Sequence, residues 1–189
     1  MKVGVILARF QPIHNGHLEL IKKALEENDK VLILIGSADK IGVRNPIPAN
    51  VRFQLVEESI RDLVDSKKSD PKPYPPYLID LLDDLSTEED NSHDWGFYLY
   101  SNIVDRIGQS TFTIYYSDGY EIITKWFPGF ILRNYVSLSL LARNSVKDGI
   151  SATQVRKMIL DDDDDLKNVV PESVYNMRNN LRMYIDLWK

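Results

Sequence analysis

The sequence predicts an α/β protein: a doubly wound parallel sheet with helices on both faces and a C-terminal helical segment. Three observations point there. The first 38 residues read as strand, helix, strand, with the apolar period switching from a continuous run to one residue in 3.6 and back. The two flanking runs, KVGVILA at 2–8 and KVLILIGSA at 30–38, lack the polar alternation of a half-exposed strand, as expected of strands covered on both faces. A chain of 189 residues, 43% hydrophobic and 27% charged, suits one core and a single domain over 1–189.

Taken in order, the elements support this frame. Between the two runs, Leu18, Ile21, Ala24 and Leu25 fall on one face of a helix over 15–29. Two strands joined in this way form a parallel pair with a right-handed crossover, the Rossmann-like arrangement. Residues 45–64 read as a turn and a helix with Phe53, Val56, Ile60 and Leu63/Val64 on its apolar side. Residues 65–94 are rich in Pro, Asp and Ser and read as an excursion with one short helix around 77–85. A helix is expected over 95–108, a strand over 111–119, a short helix over 120–127 and a strand or extended segment over 135–143. Ser151 and Gln154 form a capping box that opens a helix over 150–162, with Val155, Ile159 and Leu160 inward. The five aspartates at 161–165 read as a solvated loop, and Pro171 suits the first turn of a last helical stretch.

Composition narrows the function. A net charge of −5 gives no basic footprint for nucleic acid. With no cysteine, disulfides, thiolate zinc sites and cysteine nucleophiles are excluded. No apolar run approaches the roughly 18 residues of a membrane span, and the N-terminal run reads as a buried strand rather than a signal peptide. A cytoplasmic location is expected.

The chemistry concentrates at ARFQPIHNGH, residues 8–17, where the first strand ends and the first helix opens. Open parallel sheets bind ligands at the carboxyl ends of their strands. A helix entrance there offers free N–H groups and partial positive charge to an anion. Gly16 allows close approach of backbone, His14 and His17 add ring donors, and Arg9 adds a fixed fork of charge. His14 and His17 are two of only three histidines in the chain. Neither a GxxxxGK[ST] loop nor a GxGxxG fingerprint is present.

These residues carry a resemblance. HNGH matches the HxGH motif of the nucleotidylyltransferase superfamily, and ISATQVR at 150–156 matches its second signature, ISxTxxR. The longer stretch RFQPIHNGH resembles the archaeal-type nicotinamide mononucleotide (NMN) adenylyltransferases, as do GSADK…VRNPIPANVR (36–52) and MILDDDDDLKNVVPESV. The likeness covers roughly 1–64 and 111–175, whereas 65–110 matches poorly. One departure is Ala8, where the family usually has glycine.

The resemblance implies adenylyl transfer from ATP to NMN, giving NAD and pyrophosphate, by direct attack of the NMN phosphate on the α-phosphorus. It implies His14, His17 and Arg156 as catalytic residues. Arg9, Phe10, Gly16, Arg44, Ser151 and Thr153 would bind ATP and its phosphates, and Mg²⁺ would accompany the ATP without protein side chains as ligands. Arg52 stays open between a phosphate contact and a surface charge. Ser37 and Trp95 would meet NMN, with Trp95, at the start of the helix over 95–108, offering its face to the nicotinamide ring. Tyr98 and Tyr100 are the fallbacks, and Trp95 packing its helix onto the sheet is the structural alternative. A homo-oligomer is expected. The competing functions are transfer to another phosphate acceptor such as phosphopantetheine, cytidylyl transfer, and a nucleotide-binding sensor without catalysis.

Overall fold

The expected βαβ unit is formed by β1 (Val3–Ala8), α1 (Asn15–Glu27) and β2 (Lys30–Ile35), with β1 and β2 parallel and Val3 opposite Lys30. The computed structural model describes residues 1–67, 74–87, 90–117, 122–142 and 149–188. After β2 come α2 (Ala49–Asp65), β3 (Tyr77–Leu81), α3 (His93–Ile107) and β4 (Phe112–Ser117). Two short helices, α4 (Ile123–Trp126) and α5 (Gly129–Asn134), lead to β5 (Val136–Leu141). The chain then stays helical through α6 (Ala152–Asp161), α7 (Leu166–Val169), α8 (Glu172–Asn176) and α9 (Arg178–Asp186). The five strands run in the order β3-β2-β1-β4-β5, and every pairing is parallel.

Alternation along the strands sorts their side chains into two cores. Ile6, Val31, Ile33, Ile35 and Tyr115 face one side, where they meet Ile21 and Leu25 of α1, Leu55 and Val56 of α2, and Val155 and Leu181 of the C-terminal helices. Val3, Val5, Leu32, Leu34, Phe112 and Ile114 face the other, against Leu99 and Ile103 of α3 and Ile131 of α5. Each such fully buried aliphatic side chain contributes about 1.5–3 kcal/mol. The direction of winding reverses at β1, because β2 and β3 build outward from one side of it and β4 and β5 from the other. The carboxyl ends of β1 and β4 therefore flank a crevice that no crossover covers.

The structure corrects several expectations. Residues 77–81 are a strand, not a helix. The run YLIDLL has apolar residues four apart, as in a helix, but also at alternate positions. The strand prevails because Tyr77 to Leu81 complete the open hydrogen-bonding edge of β2. The supposed excursion thus supplies an edge of the sheet, although 68–73 and 88–89 lie outside the described residues. The buried face of α2 is Val51, Arg52, Leu55, Val56, Ser59 and Ile60, rotated from the expected stripe because it includes an arginine and a serine. The helix expected over 95–108 starts at His93, with the Ser92 hydroxyl accepting from the Trp95 N–H, so Trp95 sits inside its first turn. Ser151 and Gln154 do form a capping box, a device worth about 1 kcal/mol. Residues 161–165 are exposed, as expected of a solvated segment. The strand at 112–117 agrees with expectation up to Ser117, beyond which 118–121 lie outside the described residues. Among the described residues no helix is long and apolar enough to cross a membrane.

Candidate active site

The site is built on the turn that leaves β1. Phe10 takes a left-handed φ of 50°, unusual for a side chain of its size, and the Gln11–Pro12 peptide is cis. Gln11 is buried and behaves like a piece of backbone. Its Nε2 donates to the Ile47 carbonyl at 3.1 Å, and its Oε1 accepts from the Ile47 N–H at 3.0 Å. This fixes the 45–47 segment beside the turn and so brings Arg44 to the mouth of the site.

His14 is the N-cap of α1, in extended conformation. One turn on, the His17 ring folds back and its Nδ1 accepts the His14 N–H at 3.3 Å. The two imidazoles stack at 3.8 Å between centroids, and Phe10 leans on His17 at 4.8 Å. A Cβ at Gly16 would lie 3.1 Å from Cε1 and Nδ1 of the His14 ring. Glycine here leaves room for the His14 ring to lie across the helix entrance. Burial, and secondarily the neighbouring His14, holds the His17 pKa well below its usual 6.5. His17 is therefore neutral near pH 7. With Nδ1 occupied as an acceptor, its proton resides on Nε2, a ready hydrogen-bond donor.

A second helix entrance closes the site. Gly149 turns the chain with φ 40°, Ser151 caps α6, and Thr153 is exposed in its first turn. Arg156 reaches back across the crevice, its Nη1 donating to the Gln11 carbonyl at 2.8 Å and its Nη2 to Thr153 Oγ1 at 3.3 Å. Burial, then the charge of Arg9, lowers its pKa. Both entrances open on one cavity of about 350 Å³, lined among others by Arg9, His14, His17, Arg44, Ser151 and Arg156. Its described lining holds three arginines and two histidines but no carboxylate. Such a surface suits a polyanion, whose charge would be met by helix N–H groups and guanidinium forks.

A second cavity of about 470 Å³ lies beyond the ends of β1 and β2, bordered by Ala8, Arg9, Ser37, Asp84, Asp90, Trp95 and Trp126. Arg9 lines both cavities. Trp95 is only 7% exposed and belongs to the second core, packed edge-on against Trp126 at 5.9 Å. It packs its helix onto the sheet and borders this cavity at the same time. Trp126 shares that wall, and its Nε1 donates to Asn91 Oδ1 at 3.0 Å. Ser37 takes a φ of 49° and its hydroxyl donates to Asp84 Oδ1 at 3.1 Å. Hydrogen bonds from the Ser92 side chain, then from its backbone N–H and from Ser86 Oγ, hold the Asp90 pKa below the usual value.

The structure thus gathers His14, His17, Arg156, Arg9, Phe10, Gly16, Arg44, Ser151 and Thr153 around the first cavity, and Ser37 and Trp95 around the second, with Arg9 common to both. Tyr98 and Tyr100 lie outside both linings; their hydroxyls donate to the carbonyls of Asp83 and Ser110. Arg52 is no surface charge: it is fully buried. Sequence reasoning passed over Gln11, Asp84 and Asp90. Of these only Gln11 carried a signal, a polar side chain within an otherwise buried turn. Among the described residues no group of three His, Asp or Glu side chains forms a metal-binding cluster.

The chain is similar to known proteins in sequence and in fold. The cytidylyltransferase-like family pattern matches residues 5–158. The nicotinamide-nucleotide adenylyltransferase of Saccharolobus solfataricus is 41% identical over 64 residues, a match covering 33% of this chain and 37% of that protein. The nicotinamide-nucleotide adenylyltransferase of Thermococcus kodakarensis is 29% identical over 180 residues, covering 92% of this chain and 80% of the relative. In fold, the chain is similar to a bifunctional NMN adenylyltransferase/ADP ribose pyrophosphatase from Francisella tularensis, solved with AMP and a manganese ion. The TM-score is 0.67 at 21% identity, over 98% of this chain and 51% of that one.

Proposed function

We propose that this chain, which belongs to the cytidylyltransferase-like family, transfers the adenylyl group of ATP to nicotinamide mononucleotide. One observation supports this above the others: a cationic cavity whose described lining has no carboxylate and an aromatic, partly acidic cavity are both lined by Arg9. The first suits a triphosphate. The second suits a flat cationic ring carrying an uncharged amide, because Trp95 and Trp126 form its wall and Asp84 and Asp90 border it. The names of the Saccharolobus and Thermococcus relatives point the same way.

In this reading an oxygen of the NMN phosphate attacks the α-phosphorus of ATP. A new P–O bond forms, the bond from that phosphorus to the bridging oxygen breaks, and pyrophosphate leaves with its electron pair. The nucleophile is already an anion, so no base is required, and catalysis is alignment plus neutralisation of charge. His17 donates from Nε2 and His14 lies beside it at the α1 entrance. Arg156, Ser151, Thr153 and the N–H groups of α6 meet the leaving phosphates, while Arg44 covers the mouth and Phe10 shapes the turn. Arg9 spans donor and acceptor, and Ser37 and Trp95 hold the NMN. Mg²⁺ would arrive on the triphosphate, since the described lining of the cationic cavity has no carboxylate to fix it.

A homo-oligomer and a cytoplasmic location accompany this reading. The oligomer is supported by exposed Phe97, Phe130 and Leu140 and is measured by light scattering. The activity is tested by pyrophosphate release from ATP or CTP with NMN, nicotinic acid mononucleotide or phosphopantetheine. NAD from ATP and NMN is the expected product. Faster turnover with phosphopantetheine or CTP, or nucleotide binding without any turnover, would replace the proposal with the competing reading that it matches.

A further inference from the structure

Arg52 lies on α2, away from both cavity linings, yet it is among the largest fully buried side chains of the protein. Its guanidinium reaches the places where two strands end. Nη1 donates to the Arg9 carbonyl at 2.8 Å and to the Gly36 carbonyl at 2.8 Å, and Nη2 donates to the Ser37 carbonyl at 3.0 Å. Arg9 is the first residue past β1, and Gly36 and Ser37 are the first two past β2. These carbonyls flank the two turns that take left-handed backbone at Phe10 and Ser37. Neither turn has a glycine at that position, so each conformation needs support from its surroundings.

We infer that Arg52 is the positioning residue that locks the ATP-side turn to the acceptor-side turn, setting the distance between the reacting phosphates. This rests on the adenylyl-transfer reading. One turn carries Arg9 and leads to the histidines, and the other carries Ser37 and borders the acceptor cavity. A single rigid fork bonded to both makes their separation a property of the buried core. Lysine offers three donors on one atom and cannot span carbonyls from two strands in the same way. The hydrogen bonds that hold the turns end on carbonyl oxygens, and the nearby Asp84 carboxylate favours the charged form of the guanidinium.

The test compares Arg52→Lys and Arg52→Gln with the wild type. Circular dichroism and thermal melts report folding. Calorimetry gives the separate affinities for a non-hydrolysable ATP analogue and for NMN, and steady-state kinetics gives kcat. Each half-site survives on its own, so both affinities are expected within about threefold of wild type. Misplacement of the two halves is expected to lower kcat about 10²-fold in Arg52→Gln, with Arg52→Lys restoring part of it. A folded Arg52→Lys or Arg52→Gln with wild-type kcat overturns the inference. So does loss of ATP affinity in parallel with kcat, which would make Arg52 a phosphate ligand. Failure of both variants to fold overturns it too, by making Arg52 a residue of core stability alone. A wild type inert with ATP and NMN removes the parent reading and this inference with it, whereas an active wild type separates the two.

Discussion

Replacing Arg156 with methionine is expected to weaken function while leaving the empty protein about as stable as before. The guanidinium makes one strong contact, to the Gln11 carbonyl at 2.8 Å. A hydrogen bond from a charged group contributes about 1.5–3 kcal/mol. Against this stands the lowered pKa of Arg156, caused by burial and by Arg9. Its direction means that the folded protein disfavours this charge, and methionine removes that cost while keeping much of the apolar stem. The two effects oppose each other, so the melting temperature of the empty variant should lie within about 3 °C of wild type, at 2–4 °C per kcal/mol for a chain of this size. ATP changes the comparison. At a hundred times its Kd, ATP stabilises the wild type by about 2.7 kcal/mol, or about 5–10 °C. Loss of one charge-assisted contact weakens ATP binding about 10–100-fold, so at the same concentration the variant gains only about 0.4–1.4 kcal/mol, or about 1–5 °C. Paired melts with and without ATP, alongside kcat/KM, read this out. A variant that melts far below wild type when empty, yet keeps the full ATP shift and rate, would show that Arg156 braces the turn and does not meet phosphate.

His17→Ala should lower kcat by about 10² or more at unchanged fold, since a donor aimed at developing charge contributes several kcal/mol to the barrier; steady-state rates decide it. Because the His17 pKa is depressed in the folded state, its neutral form is favoured there. That stability is present above the unfolded value near 6.5 and is lost as pH falls from there through the folded pKa. Urea melts from pH 7.5 to 5 should therefore show a decline in the wild type that is shallower in His17→Gln, and equal slopes would refute the assignment. Trp95→Ala should raise KM for NMN with ATP affinity nearly unchanged, whereas equal loss for both substrates would leave Trp95 a packing residue only. In Gly96→Ala the new Cβ would run into the Trp126 carbonyl oxygen. A backbone neighbour cannot yield as a side chain does, so a loss of about 2–3 kcal/mol or more is expected in denaturant melts, and a neutral result would mean that α3 and α4 are not packed this closely.

How far the sequence could be read depended on whether a residue's neighbours are local. The β1–α1–β2 unit was legible because strand and helix periods differ, and the α6 entrance because Ser151 and Gln154 bond each other three residues apart. Both signature motifs are of this kind, and the structure places them on one cavity. β3 was misread because YLIDLL satisfies both periods, and only the open edge of β2, some 45 residues earlier, decides between them. Arg52 is the sharper case. An arginine within an apolar stripe looks like an interruption, and its meaning lies in three carbonyls 15 to 43 residues away in sequence. The Arg9 and Gly36 carbonyls lie where β1 and β2 stop and the site begins, and a buried carbonyl must find a donor, whereas the Ser37 carbonyl also accepts from the Lys40 N–H. A parallel sheet that opens a ligand site at its strand ends creates such orphan groups at the place where water must be kept out. The donor that satisfies them comes from α2, where the sequence left Arg52 open between a phosphate contact and a surface charge and could not show which carbonyls it serves. Trp95 reads ambiguously for a related reason: at a strand end the last layer of the core is also the wall of the cavity, so one side chain packs and lines at once.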